Sequence, residues 1–384
     1  MKKFKTACRI FAALLIACTL LPLTGCQYAR EIESLSVVAG AALDKGEDGK
    51  RYKLTVEVLD TNSDIQGNEI RTVYIQSQGD TIFEAVRNAV LKTAKRLYWS
   101  HCEILILGEE LAKEGIEPVM DWFLRDLEPR STMKLLVSQQ ASASEVLMSP
   151  PIAEGITAFT INDSLRSDLI SASMAPDIAL YRAYTMLETS QAQALALPAV
   201  GLDDSIEEPI PILSGTAIFE GDALAGYLSP ELSKVYTLLT NQSQGSILAA
   251  HLPQVPEGNI SFEVYDTHCS LNPRFEDGEL HMGIEVILNL SLGEIDHRSA
   301  EVLGEDVQRL RDIAQQEVEQ SIDELLTLSQ KHYRNDILGF GRALEIAYPD
   351  YWKAHAAAWR EEFAALPYEL TVTVNLRNAG LFQI

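Results

Sequence analysis

A cysteine near the N-terminus is the residue whose context most directly indicates a chemistry. Cys26 ends the run Leu23-Thr24-Gly25-Cys26, and an apolar stretch at residues 10–21 precedes it. This order is typical of a bacterial lipoprotein signal, which is cleaved before the cysteine. The thiol then carries a glyceride and the new N-terminus is acylated, for example with palmitate. Several acyl chains give stable anchoring, whereas one alone binds weakly. The sequence therefore predicts a signal peptide at residues 1–25 and lipid attachment at Cys26.

The stretch before Cys26 is too short to cross a bilayer. Residues 10–21 follow a basic segment that contains Lys2, Lys3, Lys5 and Arg9. A membrane-spanning helix needs roughly 20 apolar residues. An ordinary secretory signal with an incidental cysteine is the alternative, but the Leu-x-Gly-Cys spacing favours lipid attachment. We therefore expect the rest of the chain to be an ectodomain on the outer face of a membrane.

Two further cysteines follow the signal and Cys26, and each stands beside a histidine: His101-Cys102 and His268-Cys269. A disulfide between them is compatible with an oxidising compartment. A zinc site is poorly supported, because adjacent residues on a strand point to opposite faces. The long separation of the two cysteines favours two separate buried thiols.

The sequence contains no phosphate-binding loop, no Gly-x-Gly-x-x-Gly and no His-Glu-x-x-His. Gly339-Phe340-Gly341 is the nearest approach to a glycine loop, but it lies between two helical stretches, so we interpret it as a break between helices. Trp99 precedes a buried strand and is interpreted as a core aromatic residue. No catalytic, metal-binding or cofactor-binding residue is predicted, and no cofactor. We expect a protein that is not an enzyme.

The formal net charge of −24 over 384 residues excludes some partners. A surface this acidic repels nucleic acid and anionic lipid headgroups. We therefore expect no nucleic-acid partner, and attachment to the bilayer through the lipid on Cys26 rather than through a basic patch.

Periodicity predicts strands and helices in alternation through the first half. Residues 52–58 and 72–77 alternate as strands, Ile104–Leu107 reads apolar on both faces as a buried strand does, and a helix follows Thr81. The sequence predicts an N-terminal α/β region at residues 26–195, possibly two subdomains. Residues 196–212, which hold prolines and acidic residues, are predicted to be an inter-domain linker.

The second half is predicted to form a C-terminal α/β domain at residues 213–384. It contains a predicted hairpin at 216–228, a long amphipathic helix at 299–331 and an alternating strand at 370–377. We expect this last strand to complete a sheet begun earlier in the domain. The fold class predicted is α+β: a multi-domain mixed α/β ectodomain, with mainly antiparallel or mixed sheets flanked by helices.

Several short motifs, in this order and spacing, resemble one known family. They are Gly79–Ala85 (GDTIFEA), Arg96–His101 (RLYWSH), Trp122–Asp126 (WFLRD), Gly215–Phe219 (GTAIF), Asp336–Gly341 (DILGFG) and Pro349–Lys353 (PDYWK). With Gly25-Cys26 they make the chain similar, over nearly its full length, to the Ger(x)C lipoproteins, the C subunits of spore nutrient germinant receptors. Gln27-Tyr28 stand where the family usually has Trp-Asp, which leaves the particular receptor partners open.

The resemblance implies a non-enzymatic subunit on the outer surface of the spore's inner membrane. It would act in germination with a membrane-embedded A-type subunit and a transporter-like B-type subunit, in response to small nutrients. The family fold consists of mixed α/β domains, usually three. The family has no established catalytic residue that could be assigned to a position in this chain. We therefore interpret the repeated motif residues as fold determinants: Gly339, Gly341, Pro349 and Trp352.

Two other functions remain as alternatives. A solute-binding lipoprotein of an uptake system would have two similar doubly wound lobes. A lipid-anchored hydrolase would need a nucleophile or a metal constellation.

Overall fold

The computed structural model describes most of the chain after the predicted signal. The described residues are 4, 6, 10–12 and 35–378, apart from 61–70, 94, 152–154, 190–191, 253–254, 256–257, 297–298, 300 and 302–305. Residue contacts divide the chain into two units, residues 1–35 and 36–384. Cys26 and most of the predicted signal peptide lie outside the described residues. No helix in the described part has the length and apolar composition needed to cross a membrane.

Nine strands of the described residues form the first sheet. They are β1 (Leu35–Lys45), β2 (Tyr52–Leu59), β3 (Thr72–Gly79), β4 (Arg96–Tyr98), β5 (Ile104–Leu107), β6 (Lys134–Ser138), β7 (Ala196–Asp203), β8 (Ile210–Glu220) and β9 (Ala223–Leu228). Their spatial order is β3-β2-β1-β5-β6-β7-β8-β9, and β4 pairs with β1 beside this path.

The middle of this sheet is parallel and its two sides are antiparallel. β1, β5, β6 and β7 run parallel to one another, whereas β2 and β8 pair antiparallel with β1 and β7. Ile104–Leu107 is buried throughout, as predicted for a strand covered on both faces. The chain leaves β1 toward β2 and β3, then returns to the other side of β1 as β5. The boundary between β1 and β5 is therefore a topological switch point.

Helices cover both faces of the first sheet. They are α1 (Ile82–Thr93), α2 (Glu109–Glu114), α3 (Glu117–Arg125), α4 (Ala143–Met148), α5 (Thr157–Ser171) and α6 (Leu180–Glu188). α1, α2, α3 and α6 contribute to one hydrophobic core, whereas α4 and α5 contribute to another on the opposite face. The predicted helix after Thr81 is confirmed: the Glu84 N–H donates to Thr81 Oγ1 at 3.1 Å.

The second sheet has four strands in the described part of the chain. They are β10 (Ser246–His251), β11 (Asn259–Glu276), β12 (Glu279–Ile295) and β13 (Tyr368–Asn378). β11 and β12 form a long antiparallel hairpin, and β13 pairs in parallel with β12. The expectation that the last strand completes an earlier sheet is therefore confirmed.

The remaining helices follow the first sheet in the sequence. They are α7 (Pro230–Leu239), α8 (Val307–Thr327), α9 (Phe340–Ala347), α10 (Pro349–His355) and α11 (Trp359–Ala365). α8 is the predicted long helix, and it continues as a π-helical turn, Leu328–Tyr333. Its buried positions, from Leu310 to Leu326, recur every three or four residues and join the core of the second sheet.

The structure differs from the prediction at residues 196–212. Most of this segment forms β7 and the start of β8, paired within the first sheet, rather than an irregular linker. Pro198 does not disturb β7, because the ladder to β6 begins only at Ala199. The predicted hairpin at 216–228 is present, but it extends the first sheet rather than opening a separate one. The α+β class, with helices on two mixed sheets and a final strand after a helix, is confirmed.

Candidate functional site

An open crevice lies where the parallel strands of the first sheet end. Asp44 stands near the end of β1, Gly108 follows β5, and Gln140 follows β6. The crevice that these residues line has a volume of about 560 Å³. In open α/β sheets, ligands bind outside the carboxyl ends of the strands at a switch point, which is the position of this crevice.

Asp44 fixes the floor of the crevice. Its carboxylate is buried and accepts hydrogen bonds from the backbone N–H groups of Ala143 at 2.8 Å and Ser144 at 2.9 Å. Gly108 packs so closely that a Cβ there would lie 2.5 Å from Asp44 Oδ1. The Asp44 carboxylate therefore satisfies the free backbone N–H groups at the N-terminus of α4 and offsets the partial positive charge there. Only glycine fits after β5, because a side chain at position 108 would collide with Asp44.

Gln140 carries local backbone strain at the rim of the crevice. Its φ of 64° is in the left-handed region, which residues other than glycine rarely adopt. The Gln139 N–H donates to the Val200 carbonyl at 2.9 Å, which holds the chain in this turn. Such strain is common at binding sites, where the surrounding structure fixes it.

The charged groups around the crevice are paired with one another. Lys53 contacts Glu47 at 2.8 Å, and Lys113 contacts Glu109 and Glu110 at 2.8 Å and 2.9 Å. The hydrogen bond from Lys113 lowers the pKa of Glu110 below its ordinary value. Such a carboxylate stays ionised at neutral pH, the opposite of a general acid. Glu110 at the rim of the crevice therefore offers a polar contact rather than a proton.

Cys102 and Cys269, the two cysteines after Cys26, are buried free thiols, as expected. Burial raises the pKa of Cys269 to about 12 and raises the pKa of Cys102 as well. Thiols that stay protonated are poor nucleophiles and poor metal ligands. Within the described ranges, no three or more His, Cys, Asp or Glu side chains are grouped to hold a metal ion.

A second cluster, around Asp336, joins the C-terminal helices to the rest of the fold. The Asp336 carboxylate accepts hydrogen bonds from the N–H groups of Gly339 at 2.8 Å, Phe340 at 3.0 Å and Gly341 at 2.7 Å. The Trp359 indole N–H donates to it at 3.0 Å. Burial raises the pKa of Asp336, and these four donors act in the opposite direction.

Backbone conformation and close packing explain why glycine occupies positions 339 and 341. Gly339 has a φ of 81° and stands directly before α9. At Gly341 a Cβ would lie 2.7 Å from the Trp359 indole nitrogen and 2.9 Å from Trp352. The chain breaks at Gly339, as predicted, but Gly341 lies within α9 rather than in the break. Gly341 and Trp352 pack against each other, and the positive φ of Gly339 favours glycine there.

Residues 333–336, which precede α9, form hydrogen bonds to the first sheet and to a residue just before β7. The Ala194 N–H donates to the Asp336 carbonyl at 2.8 Å, and Asn335 donates to the Phe219 carbonyl at 2.6 Å. Tyr333 donates to the Tyr227 carbonyl at 3.2 Å. These bonds hold the segment before α9 against β8 and β9.

A second tyrosine completes a path to the crevice. The Tyr227 hydroxyl donates to the Ser138 carbonyl at 3.2 Å, at the end of β6. Two tyrosines thus connect the π-helical turn after α8 with the strand end that borders the crevice.

Of the residues considered from the sequence, Cys26 lies outside the described part and Trp99 is buried. Trp99 packs edge-to-face against Trp122 and Phe123, with ring centroids 5.9 Å and 5.6 Å apart, so it is a core aromatic residue as interpreted. Sequence reasoning missed Asp44 and Asp336. The signal for Asp44 was an acidic residue closing an apolar strand, and for Asp336 an Asp three positions before a glycine that opens a helix.

Two protein-family models match consecutive parts of this chain. A model for the N-terminal domain of spore germination proteins matches residues 28–202, and a C-terminal model, "Spore germination B3/ GerAC like", matches residues 214–380. Two relatives come from Bacillus subtilis (strain 168). Spore germination protein B3 is 24% identical, over 94% of this chain and 96% of its own. Spore germination protein KC is 23% identical, over 96% and 95%.

A solved structure supports the same fold. The crystal structure of the GerBC protein matches with a TM-score of 0.59 at 19% identity, and it covers 88% of this chain and 97% of that one. At this identity the likeness establishes the fold.

Proposed function

Because the chain belongs to the GerAC-like family of spore germination proteins, the C-subunit family of germinant receptors, we propose that it is the lipid-anchored subunit of such a receptor. Cys26 carries the lipid, and the folded part lies on the outer face of the spore inner membrane. There it acts without catalysis, together with A-type and B-type membrane subunits, and small nutrients trigger the complex.

One observation carries this proposal. The two family models follow one another along the chain and account for residues 28–202 and 214–380. The first model begins two residues after Cys26. The predicted signal thus occupies the segment before the family's domains, which is where an anchor for them belongs.

The chemistry of the described residues supports a role in binding other molecules rather than in catalysis. The carboxylates at the crevice are paired or bonded to backbone N–H groups, and both thiols have raised pKa values. A hydrolase would need an activated nucleophile or an open metal position. The solute-binding alternative predicted two similar lobes, whereas the two sheets here differ in strand number and order.

Replacing the lipid-bearing cysteine tests the anchored role. Cys26→Ala is expected to release the protein from the spore membrane fraction and to weaken nutrient-triggered germination. Cys8→Ala is the matched control, because it removes a thiol that leaves with the signal. Membrane retention and germination equal to wild type in Cys26→Ala would refute the role assigned to the lipid.

A further inference from the structure

One end of the first sheet combines exposed leucines with exposed cations and contains the start of β1. We call it the tether end and define it by the start of β1 at Ser36, by the last turn of α1, by β4, and by the loop Asp126–Thr132 that precedes β6. β4 pairs with β1, and the Ser100 hydroxyl donates to the Glu128 carbonyl at 3.1 Å. Arg96 on β4 forms an ion pair with Glu128. β4 and the loop therefore lie side by side.

Two leucines are exposed at or near this end. Leu127, in the loop, is 100% exposed, and Leu91, in the last turn of α1, is 82% exposed. A single exposed leucine is ordinary on a protein surface. These two lie in segments that lead into and border β4.

The local charge is opposite to that of the whole chain. Between Glu84 and Glu103 the sequence contains Arg87, Lys92, Lys95 and Arg96 and no acidic residue, although the chain carries −24. Arg130 adds an exposed cation in the loop. The acidic side chains nearby are Asp121, which binds Arg125, and Asp126 and Glu128 in the loop itself.

The length of chain between Cys26 and β1 sets a maximum distance between this end and the membrane. From Cys26 to Ser36 the chain extends to about 36 Å at most, at 3.6 Å per residue. The crevice residue Asp44 lies about 26 Å farther along β1, at 3.3 Å per residue. A lipid on Cys26 therefore allows the tether end to contact the bilayer, and the crevice lies at the other end of β1.

The chain as a whole is acidic and was expected to repel anionic headgroups. Because the local charge is reversed at the tether end, we propose that this end is a contact surface for an anionic bilayer. Leu91 and Leu127 enter the headgroup region, while Lys92 and Arg130, both exposed, face the lipid phosphates. The Lys92 ammonium also donates to the Gln76 carbonyl at 2.6 Å. Apolar side chains flanked by cations are the combination that binds a membrane surface, and basic groups add a second signal to a lipid anchor. This proposal rests on the proposed lipid at Cys26. It orients the crevice away from the bilayer.

The test uses the full lipidated chain, labelled with an environment-sensitive NBD fluorophore at one new cysteine. Leu127→Cys reports on the tether end, and Ile346→Cys, at a site 72% exposed on α9, is the matched control. Each protein is reconstituted with phosphatidylcholine vesicles, with and without phosphatidylglycerol, and its flotation with the vesicles is measured in parallel. A charge reversal, Lys92→Glu with Arg130→Glu, is compared with Lys353→Glu.

The label at residue 127 is expected to shift to the blue and to brighten at least twofold on anionic vesicles, while the label at 346 does not change. The double charge reversal is expected to abolish the shift, and Lys353→Glu to preserve it. A protein that floats with the vesicles but shows no shift at 127, or an equal shift at 346, would overturn the contact surface and leave the anchor intact. A protein that does not float would overturn the anchor and this proposal together.

Discussion

The Trp359 indole N–H donates a hydrogen bond of 3.0 Å to the carboxylate of Asp336, a side chain only 6% exposed. The same carboxylate accepts three backbone N–H groups at the start of α9. One buried acidic group thus joins two helices that are separate in sequence. The C-terminal helical region depends on it.

Replacing Asp336 with asparagine should destabilise the protein although the shape is kept. In the variant, the NH₂ group of the asparagine side chain replaces one carboxylate oxygen. That group cannot accept hydrogen bonds, so some of the N–H groups that bonded to Asp336 lose their partner. We expect Asp336→Asn to lower the free energy of unfolding by about 2–3 kcal/mol. Urea unfolding followed by tryptophan fluorescence measures this change. Asp350→Asn, at an exposed site, is the control and should cost about 0.5 kcal/mol or less. Equal losses in the two variants would contradict the role of Asp336.

Adding one methyl group at Gly341 should also be costly. A Cβ there would meet the Trp359 indole nitrogen at 2.7 Å and the Ala192 carbonyl oxygen at 2.8 Å. Overpacking of this kind costs about 1–3 kcal/mol. Thermal unfolding of Gly341→Ala, compared with Gly293→Ala, measures the difference. At Gly293 the nearest atom would be 3.3 Å away, so a smaller loss is expected there. A melting temperature of Gly341→Ala at or above that of Gly293→Ala would contradict the close packing.

Stability should depend on pH through Glu57. This carboxylate is fully buried on β2 and accepts N–H groups from Thr157 at 3.1 Å and Ala158 at 2.8 Å. Burial raises its pKa above the ordinary 4.5. The folded protein therefore keeps this proton at pH values where the unfolded chain has released it. The contribution of Glu57 to stability is complete below pH 4.5 and declines as pH rises through the folded pKa.

Glu57→Gln removes this titration. The free energy of unfolding of wild type minus that of the variant should decrease as pH is raised from about 4 to about 8, and urea titrations at each pH measure it. A difference that is constant, or that grows with pH, would show that the folded pKa of Glu57 is not raised.

The two buried thiols should be unreactive in the folded protein. Burial raises the pKa of Cys269 to about 12, and Cys102 is 2% exposed. We expect both to react with a maleimide about 100-fold or more slowly than Thr132→Cys, a variant with an exposed thiol, because reaction requires opening of the structure. Mass spectrometry before and after unfolding in urea follows the labelling. Rapid labelling of the folded chain would contradict their burial.

Strands with a clear pattern were predictable from the sequence. Ile104–Leu107 is a continuous apolar run and forms a central parallel strand, and the alternation from Leu370 to Leu376 marks β13. β1 was not predicted, because its centre, Ala39–Ala42, is rich in residues with low strand propensity. The structure supplies the reason for Gly40: a Cβ there would lie 2.4 Å from that of Ala158 on α5. Close approach of a helix, rather than local propensity, determines the residue.

The functional clusters were less predictable, because their partners are distant in sequence. Asp44 binds the start of a helix that begins at Ala143, and Asp336 meets Trp359 from another helix. Local patterns indicate neither contact. The segment at 196–212 was predicted to be a linker because its prolines and acidic residues are typical of loops, but most of it forms strands. Most of residues 196–212 form strands because β6 and β8 provide backbone hydrogen-bond partners that are distant in sequence or lie across a loop.

Isolation of the receptor from spore membranes tests the central claim most directly. The affinity-tagged full chain would be purified in mild detergent from spores, and co-purifying proteins identified by mass spectrometry. The tagged Cys26→Ala chain is the control for anchoring. The account predicts that the wild-type chain brings down one A-type and one B-type membrane subunit, and that the control brings down less of both. Recovery of the wild-type chain from the membrane fraction without either subunit would contradict the assignment as a receptor subunit.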